Sequence, residues 1–129
     1  MKARAGDLLL VVAGTPRIAS VALGRVRLDL GGRLGLVADR FAFVWVVEFP
    51  LLERGQEADR LVAVHHPFTA PMDEDLPLLP GDPLQVRAQA YDLVLNGVEL
   101  GGGSIRIHRR DLQSQMFDIL GISPPYGRD

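Results

Sequence analysis

The chain has 129 residues, which suits one compact domain or part of a larger protein. Apolar residues make up 47% and charged residues 23%, so the chain can build a globular core. A formal net charge of -2 implies no broad basic surface, which disfavours tight nucleic-acid binding by this chain alone. Cysteine is absent, which excludes disulfides and thiolate metal sites and fits a reducing compartment. The apolar run Leu8 to Ala13 is too short for a signal sequence or a membrane span, so we expect a soluble cytoplasmic protein.

The first forty residues predict a strand followed by a helix. The run Leu8 to Ala13, closed by Gly14, is typical of a buried strand. Thr15-Pro16 then offers a helix cap with proline at the first helical position. The helix shows one apolar stripe and should end near Gly31-Gly32; its stripe consists of Ile18, Ala22, Val26 and Leu30.

The middle and end of the chain predict short strands with helical segments between them. Phe41 to Val47 is continuously apolar and predicts a central strand covered on both faces. Glu53 to Arg60 predicts a polar hairpin tip that leads to a strand over Leu61 to Val64. Leu84 to Tyr91 is compatible with helix or strand. The other predicted elements are a helical turn over Asp73 to Leu79, a strand over Ile105 to Ile107, a helix over Asp111 to Leu120, and a disordered tail from Ser123.

Asn96-Gly97 between two apolar runs is a strong hairpin signal. A two-residue turn there puts Asp92 and Glu99 on one exposed face, with a glycine beside Asp92 that lets a ligand approach the backbone. The predicted pairs are Leu95 with Val98, Val94 with Glu99, Leu93 with Leu100, and Asp92 with Gly101.

The glycine run that follows must contain an irregularity. Strict alternation from Leu100 would place Arg106 in the core and Ile105 outside, which is physically backward. A one-residue bulge within Gly101 to Ser104 reverses this, so that Arg106 and His108 join the two acids.

Two acids and an arginine on one face suit a ligand that carries both a polyphosphate and a carboxylate. Mg²⁺ takes one or two carboxylates plus substrate oxygens, and the arginine fork matches a carboxylate. A solvated, salt-bridged face is the commoner reading of such a set, and His65-His66 before a proline is more often an ordinary loop pair. A zinc site from His65, His66 and His108 has no recognisable spacing. The run Gly101 to Gly103 lacks the lysine of a phosphate loop.

Four stretches closely resemble the core of bacterial aspartyl-tRNA synthetases. The similarity as a whole runs from about Gly6 to Ile122, which is nearly the whole chain. The two longest are VHHPFTAP and YDLVLNGVELGGGSIRIH, which begin at Val64 and Tyr91; the others are FVWVVEFP from Phe43 and GDLLLVVAG from Gly6.

The resemblance implies an α+β fold, part of the class II antiparallel sheet with flanking helices, preceded by a βα unit. Residues 1–38 would be the C-terminal part of an insertion domain, 39–122 the central segment of the catalytic domain, and 123–129 a disordered tail. ATP and Mg²⁺ are the implied cofactors, and aspartate the substrate. The implied roles are Glu99 for ATP, Asp92 and Glu99 for Mg²⁺, Arg106 for the aspartate side chain, His65 and His66 beside the aspartate, and Gly102 and Ser104 in the pocket floor.

Several parts of such an enzyme are missing from this sequence, including the anticodon-binding barrel and two arginine-bearing ATP segments. We therefore expect a segment of an aspartate–tRNA ligase that is inactive alone and meets tRNA only within the full-length enzyme. No catalytic residue is assigned to the chain itself. Two alternatives are a free-standing aspartate- or nucleotide-binding module, and a structural fragment that self-associates as a homo-oligomer through open sheet edges.

Overall fold

The computed structural model describes residues 3–55 and 60–123. The chain divides into two compact units, Met1–Arg40 and Phe41–Asp129. The predicted tail after Ser123 and the middle of the predicted loop Glu53 to Arg60 lie outside the described residues. The assignment of the first unit to an insertion domain stays a prediction.

The first unit contains one helix, α1, over Pro16–Arg33. The hydroxyl of Thr15 accepts a hydrogen bond from the Ile18 amide at 3.5 Å, and proline occupies the start of the helix, so the predicted helix and its cap are confirmed. The predicted strand Leu8 to Ala13 is wrong, because these residues have no regular secondary structure and most are exposed. A strand needs a neighbour for its backbone groups, and the described part of this unit contains no second strand. The βα unit is therefore reduced to its helix.

The second unit contains a three-stranded antiparallel sheet in the order β1–β4–β5. The strands are β1 Phe43–Val47, β4 Ala90–Leu95 and β5 Val98–Ser104. The prediction that β1 is covered on both faces is wrong, since all five of its residues are exposed. The central strand is β4, and β1 pairs along one side only.

A two-stranded hairpin and a helix surround the core of this unit. Strands β2 Leu52–Arg54 and β3 Leu61–Ala63 pair antiparallel, and helix α2 spans Arg110–Leu120, ending at Gly121 in the left-handed conformation. Glu53 and Arg54 thus belong to a strand and not to the predicted polar loop. The buried apolar core consists of Leu51, Leu52, Leu79, Val86, Ala88, Ala90, Met116 and Leu120.

Two short 3₁₀ helices, Asp73–Leu78 and Pro83–Gln85, precede β4. The first confirms the predicted helical turn. The second resolves the undecided segment Leu84 to Tyr91, which begins as a helical turn and continues extended into β4. The predicted strand Ile105 to Ile107 is present only as an isolated bridge between Thr69 and Arg106.

Candidate functional site

The hairpin between β4 and β5 forms at the predicted turn. Asn96 and Gly97 have positive φ angles of 49° and 84°, as a type I′ turn requires. Both predicted pairs nearest the turn are confirmed, including that of Val94 with Glu99. The Asn96 side chain also accepts a hydrogen bond from the Ala42 amide at 2.9 Å, which ties the turn to the start of β1.

The ladder then shifts by one residue. Leu93 pairs with Gly101, so Leu100 is the extra residue of a β-bulge. The predicted irregularity exists, but it lies at Leu100 and not within Gly101 to Ser104. The predicted pairs Leu93 with Leu100 and Asp92 with Gly101 are wrong for this reason.

The bulge moves the later residues of β5 to the predicted face, but Ile105 is 54% exposed and does not pack in the core as the sequence predicts. Beyond it, Asp92 pairs with Gly102, and Ala90 with Ser104, so Gly102 and Ser104 share the face of Asp92. Glu99, opposite Val94, is on that face too. We call Asp92, Glu99, Gly102, Ser104 and Arg106 the polar face.

The assignment of Arg106 to the polar face follows from its bridge partner Thr69. The Thr69 hydroxyl donates to Ser104 Oγ at 3.4 Å, which places Thr69 on the face of Ser104. Thr69 and Arg106 are bridge partners, and partners share a face. Arg106 is exposed and not in the core. His108 is also exposed, and its place on this face stays a prediction.

Glycine at 102 and 103 has a packing reason in each case. A Cβ at position 102 would overlap the carboxylate of Asp92 and lie 2.9 Å from the Tyr91 carbonyl oxygen. A Cβ at position 103 would lie 2.7 Å from the Tyr91 hydroxyl. The run therefore gives space to the Asp92 carboxylate on one face and to the Tyr91 ring on the other, where that ring meets Trp45 edge-on at 5.7 Å.

The segment with the two histidines is inserted into the same sheet region. Ala70 donates its amide to the Ile105 carbonyl at 2.8 Å, and Gln89 donates its amide to the Ala70 carbonyl at 2.8 Å. The Ile107 amide donates to the Phe68 carbonyl at 2.8 Å. The backbone that follows the histidines thus bonds both to Gln89, just before β4, and to Ile105 and Ile107, on either side of Arg106.

His65 and His66 are both exposed, and each contacts a phenylalanine. The ring of His65 lies edge-on to Phe49 with 4.7 Å between centroids. The His66 ring is 4.8 Å from that of Phe68, and its Nδ1 accepts the Phe68 amide at 3.2 Å. An occupied Nδ1 leaves Nε2 of His66 for other partners.

An arginine cluster near this segment was not anticipated from the sequence. Arg87 donates to Asp75 from Nε at 2.8 Å and from Nη2 at 3.0 Å, to Glu74 from Nη2 at 3.1 Å and to Glu48 from Nη1 at 3.1 Å. These hydrogen bonds from Arg87 hold the pKa of Asp75 below its usual range, and Asp75 raises the pKa of Arg87. We call these four residues the Arg87 cluster. A sequence signal existed: Val86, Ala88 and Ala90 are buried and alternate with Arg87, Gln89 and Tyr91, which is strand periodicity.

The polar face suits Mg²⁺ held jointly with a nucleotide. Within residues 3–55 and 60–123, no group of three or more His, Cys, Asp or Glu side chains is placed to hold a metal ion. Asp92 and Glu99 supply two carboxylates on one face. Mg²⁺ bound with a nucleotide uses one or two carboxylates and completes its shell with phosphate oxygens and water, so the residues present fit that mode.

Comparison with known proteins identifies the family. The sequence profile of the tRNA synthetases class II (D, K and N) matches residues 18–127. The chain belongs to this family. Its α+β arrangement of antiparallel sheets with flanking helices is that of a class II synthetase segment, as the sequence predicts.

Individual relatives narrow the similarity to one kind of class II enzyme. The chain is 65% identical over 125 residues to the aspartate–tRNA(Asp/Asn) ligase of Moorella thermoacetica, covering 96% of this chain and 21% of that protein. It is 61% identical over 119 residues to the ligase of the same name from Syntrophotalea carbinolica, covering 92% and 20%. The Halothermothrix orenii ligase is 54% identical over 130 residues, covering 100% and 22%. The chain thus spans about a fifth of the length of these relatives.

In the part of the chain that the structure describes, no helix is long and apolar enough to cross a membrane.

Proposed function

We propose that the chain is the segment of an aspartate–tRNA ligase that binds aspartate and Mg²⁺-ATP. The observation that carries the proposal is the placement of Arg106 on the same face as Asp92 and Glu99, through the bridge with Thr69. A cation and two carboxylates on one face match a substrate pair in which one partner is a carboxylate and the other a magnesium-bound polyphosphate.

Each residue of the polar face then has a separate role. The guanidinium of Arg106 binds the side-chain carboxylate of aspartate, and Gly102 and Ser104 form the floor below it. His65 and His66 lie beside the aspartate. Glu99, with Asp92 assisting, holds the Mg²⁺ that neutralises the phosphate charge of ATP.

The proposed reaction has two steps. An oxygen of the aspartate α-carboxylate attacks the α-phosphorus of ATP, which forms aspartyl-adenylate and releases pyrophosphate. A tRNA hydroxyl then attacks the activated carbonyl and releases AMP. The contribution of this chain is to position both substrates and stabilise phosphate charge, which are the main sources of rate in such transfers.

We propose that the isolated chain does not complete this reaction, because it spans about a fifth of the length of its relatives. Binding of tRNA then belongs to the full-length enzyme, and the cytoplasm, where tRNA is charged, is the proposed location. The relatives are named for both the aspartate and the asparagine tRNA, and we propose the same breadth for an enzyme that contains this chain.

A chimeric ligase tests the proposal directly. The matching 125-residue segment of the Moorella thermoacetica enzyme is replaced by this chain, and aspartate-dependent pyrophosphate exchange is measured. We expect activity in the chimera and none in the isolated chain. An inactive but folded chimera would refute the proposed function, and exchange by the isolated chain would refute its dependence on the rest of the enzyme.

Variants of the chimera separate the two ligands. Arg106→Ala should raise KM for aspartate about 100-fold, since a charged hydrogen-bonded pair contributes about 3 kcal/mol, and should leave KM for ATP nearly unchanged. Glu99→Ala should act mainly on ATP and on the Mg²⁺ requirement. Arg109→Ala is the matched control, because Arg109 is exposed and forms an ion pair with its near neighbour Asp111. Equal effects of both variants on both substrates would contradict the separate roles.

A second candidate function is self-association, which the exposed strand β1 favours. Phe43, Trp45 and Val47 are each more than half exposed, and a flat unpaired edge can pair with another chain. Light scattering coupled to gel filtration of the 129-residue chain distinguishes the cases. A concentration-dependent dimer would support this structural function.

A free-standing binding module is a further alternative. Calorimetry with aspartate, with Mg²⁺-ATP and with a non-hydrolysable aspartyl-adenylate tests for it. The absence of a binding signal with all three ligands would exclude the module.

A further inference from the structure

Glu48, the residue after β1, has an unusual backbone conformation. Its φ is 59°, in the left-handed region that residues with a Cβ rarely occupy. Such a conformation persists when surrounding contacts hold it in place. Its carboxylate accepts the Arg87 Nη1 hydrogen bond at 3.1 Å, so the Arg87 cluster supplies one of those contacts.

The Arg87 cluster fixes three chain segments to one another. The Arg87 amide donates to Asp75 at 2.9 Å, and its carbonyl accepts the Met72 amide at 2.8 Å. Immediately beside it, the Ala88 amide donates to the Phe49 carbonyl at 2.7 Å. The side chain of Asp75 is only 10% exposed. The backbone at Phe49 is therefore held by Ala88, the residue that directly follows the Arg87 that binds Glu48.

Phe49 connects the Arg87 cluster to the histidine segment. It packs against the buried core and presents its ring edge-on to His65 at 4.7 Å and 78°. Two residues further along the chain, the Leu51 carbonyl accepts the Val64 amide at 3.1 Å, which fixes the backbone just before His65. Both the ring that touches His65 and the backbone that leads to it thus depend on residues 49–51.

We infer that Arg87 is a positioning residue for His65, and that it acts through Glu48 and Phe49. The role rests on the proposed function, in which His65 lies beside aspartate. The side-chain hydrogen bonds of Arg87 go to three carboxylates and not to a histidine, so its effect on the reaction is indirect. The aromatic contact with Phe49 limits the directions that the exposed imidazole of His65 can take.

The geometry requires an arginine. Three nitrogens of one planar group reach three different carboxylates: Nε and Nη2 bind Asp75, Nη2 binds Glu74, and Nη1 binds Glu48. A lysine has one ammonium and cannot span these directions. Arg87→Lys should therefore keep the charge and lose the positioning.

The first experiment measures the imidazole resonances of His65 in the 129-residue chain by NMR. Phe49→Leu removes the aromatic ring that contacts His65, so it defines the chemical-shift change of the His65 imidazole that corresponds to loss of this contact. Arg87→Lys and Arg87→Met should reproduce most of that shift, and the matched control Arg109→Met should not. His108, which is exposed, serves as the internal reference for the variants at Phe49 and Arg87.

If the Arg87 variants do not fold, two variants at Glu48 test how the backbone conformation of Glu48 affects His65. Glycine adopts a positive φ without steric cost, so Glu48→Gly should leave the His65 resonances near their original positions. Glu48→Ala lacks both the ion pair and this freedom, and it should shift them. Folded Arg87 variants with unchanged His65 resonances would overturn the inference. So would equal shifts in Glu48→Gly and Glu48→Ala.

The second experiment uses the active chimera and reads kinetics. Arg87→Lys should raise KM for aspartate about tenfold, equivalent to about 1.4 kcal/mol, with KM for ATP changed less than about twofold. Glu48→Gly should retain more activity than Glu48→Ala. A general loss of stability would lower kcat without this division between substrates, and that result would overturn the inference. An inactive unmodified chimera refutes the proposed function instead, while the NMR result still decides whether Arg87 positions His65.

Discussion

Gly102→Ala should destabilise the hairpin, whereas Gly101→Ala, one residue earlier, should not. At position 102 the new Cβ overlaps the Asp92 carboxylate, which can rotate away, and it lies 2.9 Å from the Tyr91 carbonyl oxygen, which cannot. Relief of that contact to an ordinary 3.4 Å requires the backbone to move by about 0.5 Å in the centre of the β4–β5 ladder. At position 101 a Cβ meets no atom within 4 Å.

The magnitude follows from these two environments. Overpacking of this kind costs about 1–3 kcal/mol. Replacement of glycine by alanine at a compatible site gains about 0.4–1 kcal/mol by restricting the unfolded chain. That gain is common to both variants and cancels in their difference, so we expect Gly102→Ala to be less stable than Gly101→Ala by about 1–3 kcal/mol.

Urea denaturation of the 129-residue chain, followed by circular dichroism, measures the difference. With a slope of about 1.5 kcal/mol per molar urea, a difference of 2 kcal/mol separates the two midpoints by about 1.3 M. Equal midpoints with equal slopes would refute the packing argument. So would a crystal structure of Gly102→Ala in which neither the Asp92 carboxylate nor the Tyr91 carbonyl had moved.

Two further predictions concern the opposite face and the buried acid. Gly103→Ala should push the Tyr91 ring off position 103 and disturb its contact with Trp45; because Trp45 is the sole tryptophan, its fluorescence reports the change directly, and an unchanged spectrum would contradict the assigned packing. Asp75 has a folded-state pKa below the ordinary 3.8, so its contribution to stability is present above pH 3.8 and is lost as the pH falls through the lowered pKa. Asp75→Asn should reduce the fall in the free energy of unfolding at acid pH, measured by urea denaturation, and should leave Arg87 with weaker partners. A fall equal to that of the wild type would exclude Asp75 as its source.

Local rules predicted the hairpin and failed where a residue depends on distant partners. Asn96-Gly97 defines a turn by its own backbone preferences, and the nearest pairs follow from it. The bulge was also foreseen from the conflict between Arg106 and the core, but its position was not. That position depends on the register of two strands together, which the preferences of the turn residues do not define.

The errors at Leu8 to Ala13 and at Phe43–Val47 have a common cause. Both runs have the composition of covered strands, and composition says that a segment prefers burial without saying what covers it. In the described residues of each unit no layer covers them, and both are largely exposed. The Arg87 cluster could not be predicted for a different reason, because its members come from three separate segments, at Glu48, at Glu74 and Asp75, and at Arg87.

The two halves of the candidate site therefore depend on different kinds of interaction. The half that contains Asp92 and Glu99 is set by a turn, a bulge and glycines within eighteen residues of sequence, Tyr91 to His108. The half that contains His65 is set by the Arg87 cluster, whose members are up to 39 residues apart. Substitutions in the first half should alter one ligand contact at a time, because each acts on its cross-strand neighbour. Substitutions in the Arg87 cluster release three segments together, so their effects should be strongly non-additive with changes at Phe49. A double-mutant cycle between Arg87 and Phe49 that gave purely additive effects on the His65 resonances would show that the two act independently.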